Sequence, residues 1–404
     1  MNRIIFVFFI TLVLFPAIVS AQMTAPMSIT DTSKKVDTSR QPAFTLKTLS
    51  MTPVYVLSMN DNAMIDTAKQ FHVAQPLPDS CYYAGEKHLR NIRQLTFEGE
   101  NAEAYFSPDE KYISFQARGK YPNTCDQIYM MPITGGWAKR ISGGVGRTTC
   151  SYFLPSGNKI LYSSTLGMFN GACPPEPDFS QGYVWPIYKG YDIYVADTDG
   201  KVVARLTDDT NYYDAESTIS PAGDKIIFTS TSSGNIDLFS MKLDGSDVKQ
   251  LTHEQGYNGG AWYSPDGKEI VYRASRPKGD ELTEFRDLLK KGLVKPHSLE
   301  IYVMNADGSN QRKVTNLGGA SFSPYFMPDG KHIIFSSNYL DPNGRAFDLF
   351  TIKKDGTGLE RITYGGGFNS FPMFTKDGKK LIFCSNRNGS QPHETNIFVA
   401  DWVK

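Results

Sequence analysis

The chain has 404 residues, and its 42 basic and 42 acidic side chains give a formal net charge of zero. Proteins that bind nucleic acid or anionic membranes mainly through charge carry a basic excess, so we expect no nucleic-acid partner. The length allows roughly two or three domains. The 22 Tyr and 25 Phe residues are typical of a strand-rich protein.

Residues 1–21 have the features of a secretory signal peptide. Arg3 supplies one positive charge, an apolar run covers 4–19, and the small residues Val-Ser-Ala precede Gln22. Such a segment is removed on export, so we expect no stable membrane span in the mature protein and a location in the bacterial periplasm, at the cell surface or outside the cell. The alternative is an uncleaved anchor, for which the run is short.

Residues 22–90 are predicted to be a linker and an irregular N-terminal region. The first part, 22–50, is rich in Ser, Thr, Lys and Pro, which indicates a disordered linker. The second part, 51–90, contains one possible strand at 54–59 and a short helical stretch near 63–71. These patterns do not define a domain.

From residue 91 onward, a unit of four short strands recurs six times. In each copy the first and second strands are joined by a turn of the SPDG type, in which Pro, Asp and Gly suit a tight antiparallel connection. These turns begin at Ser107, Leu154, Ser220, Ser264, Met327 and Thr375. A third strand such as DIYVA leads to a second turn, which contains Asp-Gly in four of the copies.

Four antiparallel strands at a period of roughly 40–50 residues predict an all-β, six-bladed β-propeller over residues 91–404. The last unit ends at NIFVADWVK without a fourth strand, and a spare strand, NIRQLTF at 91–97, precedes the first unit. We expect the spare strand to complete the last blade and close the ring, which removes exposed strand edges.

Two units carry long insertions between their second and third strands, at 164–191 and 275–299. Antiparallel alternation places both insertions on the same face as the loops that enter the inner strands. Because loops on a rigid scaffold often carry function, we expect binding on this face. The first insertion contains Trp185, a candidate ligand wall. The second has a helical core at 280–291 whose apolar stripe is expected to pack on the propeller.

Each inner strand begins with a polar residue, six positions before its turn. These residues are Asn101, Thr148, Asp214, Asn258, Ser321 and Asn369. They predict a polar ring around the mouth of the central channel, with further ligand contacts from Glu103, Arg147, Tyr213 and Glu216. The alternative is that these positions are polar only because water reaches the start of a strand.

Five cysteines are present, and an exported protein can hold disulfides. Cys125, Cys150 and Cys173 lie in loops or strand starts near the first two blades and are candidates for one disulfide. The alternative is that all of the cysteines are reduced. Cys384 lies in an apolar strand and is expected to be a small buried side chain.

Catalytic signatures are absent from the sequence. There is no G-x-S-x-G nucleophile elbow, and the six histidines are isolated. We therefore expect no catalytic residue and no cofactor. The alternative is a metal-dependent hydrolase or lyase acting on a polysaccharide or peptide, in which His253 and His297 are the candidate ligands and carboxylates could bind Ca²⁺ or another divalent ion.

The repeat resembles the propeller of the TolB family, which has WD40-like repeats. Residues 250–252, 264–268 and 301–309 carry the resemblance best, as QLT, SPDGK and IYVMNADGS. It covers roughly residues 91–404 and implies a non-catalytic binding or scaffold protein of the cell envelope. The region before residue 91 is too short and polar for the N-terminal α/β domain of that family. The resemblance therefore implies a free-standing, Tol–Pal-like propeller that binds an envelope or extracellular protein, a peptide or a glycan at the channel mouth.

Overall fold

The computed structural model describes residues 75–78, 81–119 and 125–404. The predicted signal peptide and most of the predicted N-terminal region lie outside the described residues. Within the described ranges, no helix is both long and apolar enough to cross a membrane.

The predicted six-bladed β-propeller is confirmed. Two strands precede the blades, β1 (Gln75–Pro76) and β2 (Leu89–Gln94). Blades 1 to 3 contain β3 (Glu100–Phe106), β4 (Tyr112–Arg118), β5 (Gln127–Pro132), β6 (Lys139–Arg140), β7 (Thr148–Phe153), β8 (Lys159–Ser164), β9 (Trp185–Pro186), β10 (Asp192–Asp197), β11 (Val202–Arg205), β12 (Asp214–Ile219), β13 (Lys225–Ser230), β14 (Asp237–Lys242) and β15 (Lys249–Gln250). Blades 4 to 6 contain β16 (Asn258–Tyr263), β17 (Glu269–Ala274), α1 (Asp280–Lys290), β18 (Leu293–Val294), β19 (Glu300–Asn305), β20 (Arg312–Lys313), β21 (Ser321–Phe326), β22 (His332–Ser337), β23 (Asp348–Lys353), β24 (Glu360–Arg361), β25 (Asn369–Phe374), β26 (Lys380–Ser385) and β27 (Asn396–Trp402).

Blade 6 contains strands from both ends of the described chain. Its order is β25-β26-β27-β2-β1, and β2 pairs antiparallel with β27. The strand begins and ends earlier than the predicted 91–97. Hydrogen bonding to β27 nevertheless continues one residue beyond the end of β2. There the Leu95 N–H donates to the Ile397 carbonyl at 2.8 Å. This pairing covers the edge that β27 would otherwise expose.

Large side chains of the second and third strands fill the spaces between blades. Cross-strand aromatic pairs recur, as in Phe115–Tyr129 and Phe383–Phe398, with ring centroids 5.7 and 5.8 Å apart. All four of these side chains are almost completely buried. Burying each ring stabilises the folded state by about 1.5–3 kcal/mol. The hydrophobic core therefore lies between the blades, and other side chains occupy the central axis.

Every inner strand has a β-bulge two residues after its polar first position. The residue there has a positive φ in all six blades, although only one of the six is Gly. They are Glu103 (54°), Cys150 (52°), Glu216 (57°), Gly260 (59°), Ser323 (46°) and Phe371 (53°). Sequence patterns did not indicate this bulge, because a positive φ in a strand is normally taken by Gly. At this position the bulge interrupts the regular alternation of side-chain direction along the strand.

Two residues after the bulge position, aromatic rings from four of the inner strands close the central channel. Tyr105 of blade 1 and Trp262 of blade 4, on opposite sides of the ring, have centroids 5.0 Å apart. Tyr152 and Tyr325 lie 5.2 and 5.1 Å from Trp262. Edge-to-face pairs of this kind stabilise by about 0.5–1.5 kcal/mol each. We call these four side chains the aromatic floor.

The two insertions meet above the mouth of the channel. Their short strands β9 and β18 pair antiparallel, and α1 buries Phe285 and Leu288. In the first insertion, Trp185 packs against Phe322 of blade 5 with centroids 5.9 Å apart. Tyr183 lies 5.4 Å from the Arg345 guanidinium, also on blade 5. We call residues 164–191 and 275–299 the cap, since they reach from blade 2 to the opposite side of the ring.

Of the three candidate cysteines, Cys125 and Cys173 form a disulfide with a Cα–Cα distance of 5.8 Å, and Cys150 is a free thiol. Cys125 lies just before β5 of blade 1, whereas Cys173 lies in the first insertion. The bond therefore ties the cap to the neighbouring blade.

Replacing both bonded cysteines, Cys125→Ser with Cys173→Ser, is expected to lower the free energy of unfolding by about 2–4 kcal/mol, because the disulfide restricts the unfolded chain. The loop that it closes spans 48 residues in sequence. Denaturant unfolding with and without reductant checks the result. Reductant should destabilise the native protein but not the double variant, and equal sensitivity of the two would contradict the assignment.

Candidate functional site

The six polar residues predicted to ring the mouth do not face the channel. All six are buried, and their relative exposures are 6% or less: Asn101, Thr148, Asp214, Asn258, Ser321 and Asn369. The prediction of an exposed ring at these positions is corrected by the structure. Each backbone N–H bonds to the preceding blade, as in Asn258 to the Ile236 carbonyl at 3.0 Å. This contact draws the start of the strand into the interface between the blades, away from water.

The asparagines among them join neighbouring blades through their side chains. The Asn258 Nδ2 donates to the Ile236 carbonyl at 3.0 Å and to the Asp237 Oδ1 at 3.1 Å. The Asn369 Nδ2 makes the same pair of bonds, to the Phe347 carbonyl and to Asp348. These side chains hold the inner strands in position against the preceding blades.

Asp214 occupies this position in blade 3 and cannot donate in the same way when ionised. Asp192, the counterpart of Asp237, lies beside it; its carboxylate is paired with Arg205 at 2.5 Å and still disfavours a negative charge on Asp214. Burial, together with Asp192, raises the pKa of Asp214 from 3.8 to about 6. Its Oδ1 has no hydrogen-bond partner among the described residues. The ionised form of Asp214 is therefore disfavoured at the interface between blades 2 and 3.

The six residues at the bulge positions lie between the cap and the aromatic floor, and we call the space beside them the chamber. The bulge residues line it, and five of them are partly exposed to solvent: Glu103, Cys150, Glu216, Gly260 and Phe371. Of the predicted site residues, the structure brings Glu103, Glu216 and Trp185 to this chamber. Cys150, Phe371 and Arg273 were not predicted as channel residues. Cys150 and Phe371 could have been found from the sequence, because the bulge position repeats in all six blades.

Glu216 is neutralised by an arginine from the next blade. Arg273 on β17 forms a short ion pair with the Glu216 Oε1 and donates to the Tyr257 hydroxyl at 2.6 Å. The other carboxylate oxygen accepts from Thr229 Oγ1 at 2.8 Å and from the Gly260 N–H at 2.9 Å. Trp185 of the cap lies over the guanidinium at 5.3 Å. This network links the roof of the chamber to its wall.

Glu103 holds the corresponding position on blade 1 without such a partner. No described cation lies within ion-pair distance of it, and Cys150 is its hydrogen-bonding neighbour. Burial raises the pKa of Glu103 from 4.5 to about 7, and the Glu216 carboxylate adds to the increase. Burial also raises the pKa of Cys150 well above 9, so the thiol stays protonated near neutral pH and is a poor nucleophile.

Arg147 and Tyr213 support the cap. The Arg147 Nη2 donates to the Glu176 Oε1 of the first insertion at 2.6 Å, and its Nε lies 3.5 Å from the Asp126 carboxylate. Tyr213 is buried, with its ring packed edge-on against Tyr191 at 5.5 Å. Both residues therefore position the roof of the chamber.

The two candidate metal ligands lie apart from the chamber. His297 lines a cavity of about 290 Å³ between α1 and blade 4, and His253 lines a different cavity of about 450 Å³. Within the described ranges, no three or more His, Cys, Asp and Glu side chains are grouped to hold a metal ion. The geometry gives no support to the hydrolase or lyase alternative over a binding role.

Comparisons with known proteins agree with the propeller architecture. The family described as the TolB beta propeller domain matches residues 170–290 and 287–401, which together make up more than half of the chain. The TolB homolog of Chlorobium luteolum is 30% identical over 152 aligned residues, covering 31% of this chain and 35% of that protein. An uncharacterized protein of Agrobacterium fabrum, Atu1656, is 26% identical over 130 residues, covering 32% of this chain and 38% of that protein.

Among solved structures, the putative TolB from Agrobacterium tumefaciens has a TM-score of 0.50 and 18% identity, and the match covers 76% of this chain and 91% of that chain. At this identity the likeness shows the fold alone. The aligned region also spans less than half the length of the two curated relatives. The activity and partners of this chain therefore have to be argued from its own residues.

Proposed function

The chain belongs to the TolB β-propeller domain family, and on this premise we propose that it is an exported, non-catalytic binding protein whose capped chamber holds a segment of a partner protein or peptide. The observation that carries the proposal is the chamber itself. It lies between the aromatic floor and the cap, its lining residues are partly exposed, and no described cation lies within ion-pair distance of the Glu103 carboxylate in it. Sites that combine aromatic surface with a few fixed polar groups are typical of ligand binding.

Export is part of the proposal and has two supports. The first is the signal-peptide pattern of residues 1–21. The second is the Cys125–Cys173 disulfide, because such bonds persist mainly in oxidising compartments such as the periplasm. A binding face outside the cytoplasm would meet envelope or extracellular proteins first.

The cap presents aromatic side chains to a partner. Tyr183 is 55% exposed and Phe179 is 55% exposed, both in the first insertion, whereas Trp185 reaches from the cap into the chamber. Rigid aromatic groups dominate the binding energy of many protein interfaces. We therefore place the partner across the cap, with part of it entering beside Trp185.

Site-specific photo-crosslinking tests which face binds. A benzophenone amino acid at Tyr183 should give a covalent adduct with an envelope protein in living cells. The same group at Lys268, exposed in the turn between β16 and β17 on the opposite face, should not. Adducts at Lys268 alone, or equal adducts at both positions, would overturn the placement.

Trp185→Ala is expected to weaken binding of the partner so identified by roughly 30-fold, the effect of truncating an interface anchor worth about 2 kcal/mol. The matched control is Trp137→Ala. Trp137 is 45% exposed in the turn between β5 and β6, away from the cap. Titration of the purified partner should show unchanged affinity for the Trp137 variant. Equal losses in the two variants would point to a general effect on folding.

A further inference from the structure

We propose that the chamber takes the cationic end of its ligand, an alkylammonium or guanidinium group, against the carboxylate of Glu103. The inference rests on the proposed function, because it states which part of a bound segment enters the chamber. A lysine side chain, an arginine side chain and a free amino terminus all present this chemistry.

Because the blades repeat, the surroundings of Glu103 can be compared with those of an equivalent residue in another blade. Glu103 and Glu216 occupy the same bulge position on blades 1 and 3. Glu216 is paired with Arg273 from the second strand of the next blade, where Arg273 lies opposite Gly259. The equivalent residue beside Glu103 is Ser163, which lies opposite Thr149 on blade 2. Glu216 is therefore paired with an internal guanidinium, whereas Glu103 has no such partner among the described residues.

The space beside each glutamate depends on the bulge residue of the next blade, which is Gly260 beside Glu216 and Cys150 beside Glu103. A Cβ at Gly260 would lie 1.9 Å from the Arg273 Nη1, so the absence of a side chain makes room for the guanidinium. On blade 2 the corresponding residue is Cys150, whose neutral thiol contacts Glu103. A thiol can donate one weak hydrogen bond but supplies no positive charge. The hydroxyl of Ser163, buried behind it, has no hydrogen-bond partner among the described residues.

The charges that face Glu103 leave the chamber negative. The groups that act on it are Cys150, Glu216, Arg273 and Asp126. Arg273 is already committed to Glu216, and Asp126 lies near Arg147. One added cation would therefore balance the Glu103 carboxylate. Aromatic rings of the floor, such as Tyr105, offer further attraction to a desolvated cation.

Small organic cations provide the probe. We would titrate the full-length protein with n-butylguanidinium and n-butylammonium at pH 8 by calorimetry, with neutral n-pentanol as the uncharged control. The two cations should bind and n-pentanol should not. Glu103→Gln should weaken cation binding by about tenfold or more, as expected when a charged hydrogen bond in a shielded site is lost. Glu110→Gln, in the turn at the opposite end of the same hairpin, should leave it unchanged.

Dependence on pH separates this site from adventitious surface binding. Because the pKa of Glu103 is raised to about 7, cation affinity should increase as the pH rises from 6 to 8, and binding should release a proton at the lower pH. Glu103→Asp keeps the charge and should retain part of the affinity. Tighter binding of n-butylguanidinium would indicate an arginine side chain, whereas tighter binding of n-butylammonium would indicate a lysine side chain or an amino terminus.

The outcomes separate this inference from the proposed function. Cation binding that is as tight in Glu103→Gln as in the native protein, or absent from both, overturns the inference. Crosslinking at Tyr183 and the loss caused by Trp185→Ala do not depend on that result. Should the cations bind at Glu103 while the partner crosslinks only to the opposite face, the cation site stands and the proposed function fails.

Discussion

Replacing Arg273 by Met is expected to lower the free energy of unfolding by about 3–5 kcal/mol, the usual cost of removing one partner of a buried ion pair. Arg273 is 7% exposed and donates to both Glu216 and the Tyr257 hydroxyl. Met fills a similar volume but leaves the Glu216 carboxylate without a counter-charge. Burial alone would lower the pKa of Arg273, but Glu216 outweighs it and the net pKa is raised, so the guanidinium is charged in the native protein.

Denaturant unfolding at pH 7.5 measures this loss, and two further variants identify its cause. Arg273→Met combined with Glu216→Gln should be more stable than Arg273→Met alone, because no unpaired charge remains. Arg276→Met is the matched control. Arg276 lies over the Tyr302 ring at 4.8 Å and has no carboxylate partner among the described residues, so we expect a change below about 1 kcal/mol. A single Arg273 variant as stable as the native protein would contradict the role of this pair.

Replacing Asp214 by Asn is expected to raise the free energy of unfolding by about 2–3 kcal/mol above pH 7. Asn258 shows what an amide does at this position, since its Nδ2 donates to the Ile236 carbonyl and to Asp237. An amide at 214 would donate in the same way to the Tyr191 carbonyl and to Asp192. The substitution therefore removes a repulsion between two carboxylates and adds an interblade hydrogen bond.

The stabilisation expected from Asp214→Asn depends on pH. The folded-state pKa of Asp214 is raised from 3.8 to about 6, so the folded protein holds the proton more tightly than the unfolded chain. The contribution of Asp214 to the free energy of unfolding is fully present below pH 3.8 and is lost as the pH rises through 6. The loss is about 3 kcal/mol, at 1.36 kcal/mol per pKa unit. The gain from Asp214→Asn should therefore be small at pH 4 and full at pH 7.5.

Asn258→Asp is the reciprocal control, since it places a second carboxylate beside Asp237. It should destabilise the protein at pH 7.5 by a similar amount, and less at pH 4. Denaturant midpoints for the two variants and the native protein at both pH values decide the outcome. An Asp214→Asn variant that is no more stable than the native protein at pH 7.5 would show that the carboxylate is accommodated in another way.

Local patterns predicted the scaffold well because they repeat. The SPDG-type turn at Ser264 and the strands on either side of it need only short-range backbone preferences and alternating burial. Six copies of the same pattern then leave few folds to consider. Antiparallel alternation also predicts that the two insertions lie on the same face, and the structure joins them through β9 and β18.

Side-chain direction in the inner strands did not follow from these patterns. Asn101 and Asn369 were expected at the mouth but lie between blades. The neighbouring Glu103 and Phe371 adopt a positive φ, which interrupts the alternation on which the expectation depended. A bulge at a residue other than Gly is maintained by contacts with the next blade, as when the Ser323 hydroxyl accepts from the Phe371 N–H at 3.2 Å.

The sequence by itself determined the number of blades, the strand order within each blade and the face that carries the insertions. Turn chemistry and strand periodicity are local properties, and repetition makes them unambiguous. Only the tertiary structure decided what occupies the axis. Tyr105 meets Trp262 across the ring, Arg273 pairs with Glu216 of the preceding blade, and within the described part of the chain no cation lies within ion-pair distance of Glu103. These arrangements depend on contacts between blades, whose energies are set by burial and charge at distances in space that the linear order of residues does not specify.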